Sequence, residues 1–187
     1  MSVFADSLKI KTELNNLKKQ DKVLSNKIET LIFDGKLNEE FQKDKEGILN
    51  WRDPEGRNII LFVYEKLAEW EHYRHDSNFK NKISSILNDL PIEFFRPELL
   101  LNNETEVSAF EFAIDGGKFF PFNKLNVKDW SKYGHFKKLK NFLIDINVNH
   151  VNNSNILEIE DFFEKVSLKR KELVKKRKLK KGEKIEI

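Results

Sequence analysis

The chain has 187 residues, 39% hydrophobic and 35% charged, with 16 Phe and no Cys. That supplies one core domain, or a domain with an arm, and excludes both a disulfide framework and a thiolate-held metal. The net charge of +3 is unevenly placed: residues 165–184 carry eleven Lys or Arg against two Glu, a local +9, so the remainder carries −6. The longest apolar run, Ile59–Tyr64, is far too short to span a bilayer. The start, M-S-V-F-A-D-S-L-K, lacks the basic and apolar parts of a secretory signal. A cytoplasmic protein is expected, or one delivered to a host cell without a conventional signal peptide.

Residues 8–33 read as a helix through Ile10, Leu14, Leu17, Leu24, Ile28 and Leu31. Leu17, Leu24 and Leu31 recur every seven residues, which suits either packing on the chain's own domain or a homodimer seam. Asp34-Gly35 stops this helix. Leu37, Phe41, Ile48 and Leu49 predict a second short helix folding back.

Trp51–Leu67 reads W-R-D-P-E-G-R-N-I-I-L-F-V-Y-E-K-L. Asp53-Pro54-Glu55-Gly56 suits a type I or II turn with proline at its second position. A buried helix from Asn58 to Trp70 follows, with a polar continuation towards Asp76. Phe79, Ile83, Ile86 and Leu87 mark another amphipathic helix. It ends near Leu90-Pro91, because proline disfavours helix in the residue before it.

After Pro91–Leu101 the stretch Asn103–Gly117 reads N-E-T-E-V-S-A-F-E-F-A-I-D-G-G. Ser108 is placed to cap a helix and Glu111, three residues on, to complete a capping box. Phe110, Ala113 and Ile114 form the apolar face, and Gly116-Gly117 ends the helix. An aromatic-rich irregular loop follows, holding Phe119, Phe120, Phe122 and Trp130. Lys137–Ile146 is amphipathic again through Leu139, Phe142, Leu143 and Ile146.

The stretch around Ser108 resembles an ankyrin repeat, D-x-x-G-x-T-P-L-H-x-A-x-x-x-G. Ser108 takes the Thr place, Ala109 the Pro place, Phe110 the Leu place, Glu111 the His place, Ala113 the Ala place and Gly117 the closing Gly place. Glu106 departs from the turn glycine. In a second copy, Asp53 and Gly56 hold the D-x-x-G spacing, Asn58 replaces Thr and Val63 stands at Ala. Asn147-Val148-Asn149 resembles the closing Asp-Val-Asn of such a repeat. A third copy begins at Asn152, with Asn155 and Leu157 at the Thr and Leu places. The three Thr places lie 50 and 47 residues apart, against roughly 33 in the family, so each copy would carry an insertion. The resemblance implies an all-α fold: an N-terminal helical hairpin or cap over residues 1–50, ankyrin-like helix-turn-helix repeats over 51–165, and a basic C-terminal helix or tail over 166–187. An unrelated all-helical bundle with ordinary caps and turns is the alternative.

No catalytic signature stands in the chain. His72, His75, His135 and His150 complete no zinc motif. There is no G-x-S-x-G elbow, no phosphate loop and no dinucleotide fingerprint. A non-enzyme without cofactor or metal is expected. The resemblance implies a protein-interaction scaffold, an accessory or effector protein acting on a protein target. Phe119, Phe120, Phe122 and Trp130 are candidate partner contacts, since aromatics are enriched at interface hot spots; capping of the helical core is their other reading. Lys169, Arg170, Lys171, Lys175, Lys176, Arg177, Lys178, Lys180 and Lys181 are candidate contacts to phosphates or to an acidic partner. They support the alternative, nucleic-acid association, although the tail has no aromatic on which a base could stack.

Overall fold

The computed structural model describes residues 24–73, 77–102, 105, 107–149 and 156–182. Among them the fold is all-α: helices joined by turns, with no strand beyond one isolated antiparallel bridge, Arg52 to Asn58. The chain divides into two compact units, and the boundary between Phe94 and Phe95 falls inside a 3-10 turn, Ile92–Phe95.

The first unit begins with α1 (24–33), whose buried face is centred on Ile28 and Ile32. Leu24 is exposed and Leu31 half-buried at the edge of that face; Leu17 lies outside the described residues. Asp34-Gly35 ends α1 as expected, with Lys36 N–H donating to Leu31 O at 2.8 Å. The predicted second helix is two: α2 (Leu37–Lys43) and α3 (Lys45–Asn50). Asp44 divides them because its carboxylate accepts from Gly47 N–H at 3.0 Å and so caps α3.

Next comes a tight hairpin turn. Gly56 N–H donates to Asp53 O at 2.9 Å, and Gly56 takes φ +81°, which glycine adopts without a Cβ penalty. Asp53 is buried and its Oδ1 accepts from the N–H of Glu55 at 3.0 Å and of Arg57 at 2.8 Å. Arg57 Nε donates to the other carboxylate oxygen at 2.5 Å. Asn58 then caps α4 (Ile59–Tyr73), accepting from Leu61 N–H at 3.0 Å. Ile59 to Tyr64 are buried without interruption, which makes the start of α4 the unit's central rod. The polar continuation to Asp76 falls on residues 74–76, outside those described. α5 (Ser77–Asp89) packs on α4 and buries Phe79, Ile83, Ile86 and Leu87. Edge-on ring pairs, Phe33–Trp70, Phe41–Phe94 and Trp51–Phe62, fill the rest of this core.

The second unit opens with α6 (Pro97–Leu100), packed on α7 (Ala109–Asp115). Ser108 and Glu111 form the predicted capping box. The far end of α7 is a Schellman turn: Lys118 N–H donates to Ala113 O at 2.8 Å, and Gly117 N–H to Ile114 O at 3.1 Å. Gly117 sits at φ +58°, the left-handed conformation this motif requires.

The predicted irregular loop contains two short elements, a 3-10 turn (Phe122–Lys124) and α8 (Val127–Trp130). Asn126 starts α8 by accepting from Lys128 N–H at 3.0 Å. α9 (Tyr133–Asn149) begins four residues before the expected Lys137 and continues through Asn147, Val148 and Asn149. α10 (Ile156–Lys180) packs on α8 and α9 through Ile159, Phe162 and Val166. The third repeat-like copy begins on residues 152–155, outside those described.

Phe110 is at the centre of this core. Its ring centroid lies 4.8 Å from Phe142, 5.3 Å from Phe120 and 5.7 Å from Trp130. Trp130 in turn meets Phe162 of α10 at 5.7 Å. Ala113, Ile114, Leu139 and Leu143 are buried with them.

Candidate functional site

The aromatic candidates separate by burial. Trp130 is 0% and Phe120 4% exposed, so both belong to the core and neither is a surface contact. The reason is geometric: α8 turns Trp130 between Phe110 and Phe162, and Phe120 is held between Phe110 and Phe95. Phe122 is half-buried against Phe120. Phe119, at 40%, is the member that reaches solvent.

All the basic candidates but Lys181 lie on one continuous helix. α10 is amphipathic only in its first half, where Ile159, Phe162 and Val166 recur at three- and four-residue spacing and anchor it. Beyond Arg170 no residue through Gly182 is buried; Leu173 is half-buried and the rest are exposed. Lys171, Lys175, Lys176, Arg177, Lys178 and Lys180 therefore stand on a helical arm of roughly 15 Å, at 1.5 Å per residue, with Lys181 just past its end. The described ion pairs on α10 are Lys165–Asp161 at 2.5 Å and Lys169–Glu172 at 3.1 Å.

Arg170 marks the point where anchored helix becomes arm. Its Cζ lies 4.6 Å from the ring centroid of Phe136 and 5.1 Å from that of Tyr133, both on α9. Phe136 stacks on Phe163 of α10 at 5.4 Å. A guanidinium over two rings is held by cation–π attraction and buries its methylene stem, while keeping its charge in reach of solvent. Tyr133 remains 67% exposed. From Tyr133, Lys137, Lys140 and Ile144 follow at spacings of four, three and four along α9, so they share one outward face. All four are exposed. Lys132 stands beside them, also exposed.

Sequence reading missed this juxtaposition. It placed the basic residues in the tail and found no aromatic among them, whereas the antiparallel packing of α9 and α10 brings Tyr133 to Arg170. The local signal was present, since Tyr133 begins an amphipathic pattern on the polar side of Leu139 and Phe142.

The histidines gather no metal ligands among the described residues. His72 is exposed, His135 pairs with Glu98 of its own unit at 3.3 Å, and His75 and His150 lie outside the described residues. Among the described residues no helix is long and apolar enough to cross a membrane. No family model, no curated protein and no solved structure matches this chain.

Proposed function

We propose that this protein is a non-catalytic binding module, a protein-interaction scaffold of two ankyrin-like turn-and-helix units. On this reading the helices before Trp51 cap the first unit, and α10 closes the second while carrying a basic arm. The target is a protein that the module binds and modulates as an accessory or effector. The observation that carries the reading is the recurrence of one local design. A polar residue, Asn58 or Ser108, accepts from the N–H three residues on and starts a helix whose first turns are buried. Such units cannot bury their faces alone and stack on neighbours, leaving extended surfaces for partners.

Affinity capture with two chains tests this reading: the full protein, and one ending at Glu172. Cutting there keeps Val166 and Arg170, which hold α10 to its unit. One defined protein recovered by both, and recovered less by Phe119→Ala, supports the scaffold. Recovery of nothing but nucleic acid, lost on truncation, overturns it.

A second reading is favoured by the exposure of the arm. Lys171, Lys175, Lys176, Arg177, Lys178 and Lys180 concentrate positive charge on one projecting helix, with Lys169 and Arg170 at its root and Lys181 just past its end. Neutralising several phosphates at once releases counterions and gives strong, salt-sensitive binding.

A further inference from the structure

We infer that the surface shared by α9 and α10 binds single-stranded nucleic acid, with Tyr133 as the platform on which an unpaired base stacks. The inference rests on the second reading above and names the substrate class of that site. Two independent observations meet here. The first is charge: Lys132, just before α9, and Lys137 and Lys140 on it are exposed, and Arg170 at the root of the arm lies over the Tyr133 ring, so cations from both segments stand about Tyr133. The second is the ring itself. Tyr133 is the most exposed aromatic among the described residues, at 67%, yet it is not adrift, because Arg170 lies 5.1 Å from its centroid. A guanidinium over the ring restricts it and places a positive charge where a stacked nucleotide would bring its phosphate.

The combination selects single strands. A groove or strip of cations tracks the backbone, and an exposed aromatic takes a base face, which every base has. In a duplex that face is already stacked on its neighbours and no ring reaches it. RNA and DNA offer the same stacking and phosphate chemistry, so the test uses both.

Fluorescence anisotropy with the full chain decides it, using labelled oligo(U), oligo(dT) and a mixed-sequence duplex. Strands of about 12 nucleotides fall in the site-size range of stacking platforms, ~4–16. Both single strands should bind more tightly than the duplex. Tyr133→Ala should weaken single-strand binding roughly 5- to 100-fold and leave duplex binding unchanged. Tyr133→Phe should stay within about twofold of the natural protein, because stacking uses the ring and not the hydroxyl. Lys175→Glu with Lys176→Glu should weaken both kinds of binding, each lost contact lowering the single-strand salt slope by about 0.7. A 5-iodouridine strand should photocross-link to Tyr133 in the unmodified protein, a readout independent of how any variant folds. Equal affinity for single strand and duplex, with Tyr133→Ala changing neither, overturns the inference while leaving a phosphate-binding arm. Absence of binding to all three probes at low salt overturns both.

Discussion

Ser108 and Glu111 satisfy each other's backbone: Glu111 N–H donates to Ser108 Oγ at 3.2 Å, and Ser108 N–H donates to Glu111 Oε2 at 3.0 Å. Ser108 is buried, so water cannot replace the lost bond when its hydroxyl is removed. Ser108→Ala should therefore cost about 1–2 kcal/mol, the upper part of the usual range for a lost cap. Glu111→Gln keeps an acceptor at the same place and should be close to neutral. Chemical unfolding of the two variants checks the contrast, and equal losses would mean that the carboxylate's charge matters more than its acceptor geometry.

At the other end of α7, Gly117 should tolerate no side chain well. A Cβ there meets nothing within 4 Å, so crowding is not the obstacle. The cost is the left-handed backbone, about 1–2 kcal/mol for an ordinary residue. Gly117→Ala should show that loss, and Gly117→Asn a smaller one, since asparagine enters this conformation more readily. Thermal unfolding of both, ordered Gly then Asn then Ala, is the expected result.

Phe110 joins α7 to the rings of Phe120, Trp130 and Phe142. Its side chain is fully buried. Phe110→Ala should cost about 3–5 kcal/mol, combining lost transfer energy with the cavity left behind. A change below about 1 kcal/mol in urea unfolding would show that Phe110 is not part of a packed core.

Asp53 holds the turn before α4 by accepting from two backbone N–H groups and from Arg57. Its side chain is 1% exposed. Asp53→Ala should cost roughly 1.5–3 kcal/mol, the range for bonds to a charged group. Trp51 stands two residues away and packs on Phe62 at 5.1 Å. A shift in tryptophan emission alongside the stability loss is expected, because loosening the turn exposes that indole.

Burial of Tyr64 pushes its hydroxyl far above the ordinary value of 10.0. The folded chain therefore keeps that proton where the unfolded chain releases it. The resulting stability is fully present below pH 10.0 and is lost as pH rises above it. Unfolding curves measured between about pH 9 and pH 11 should show a decline that Tyr64→Phe reduces. An unchanged decline in the variant would assign the loss to other groups.

Local elements were legible in the sequence because their causes lie within a few residues of each other. The turn at Asp53-Pro54-Glu55-Gly56, the stop at Asp34-Gly35 and the capping box at Ser108 each depend on backbone angles and a hydrogen bond spanning at most five residues. The helical faces of α5 and α7 were equally plain, since a period of 3.6 puts Phe79, Ile83, Ile86 and Leu87 on one side. The split at Asp44 and the short helix α8 were missed. A four-residue helix carries too few periodic positions to register, and its cap at Asn126 looks like any loop asparagine.

The all-α class, the capping box at Ser108 and the charge of the tail are thus properties of the sequence by itself. The surface is not. Whether an aromatic is core or contact depends on what packs against it, and hydrophobicity is the same for Trp130, which is buried, as for an exposed ring. Only tertiary packing decided these things: Phe110 and Phe95 enclose Phe120, Phe110 and Phe162 enclose Trp130, and α9 against α10 leaves α10 anchored as far as Val166 and sets Tyr133 beside a guanidinium 37 residues further along the chain. Contacts at that separation are made by helix faces meeting in space, and the helical period specifies each face without specifying its neighbour.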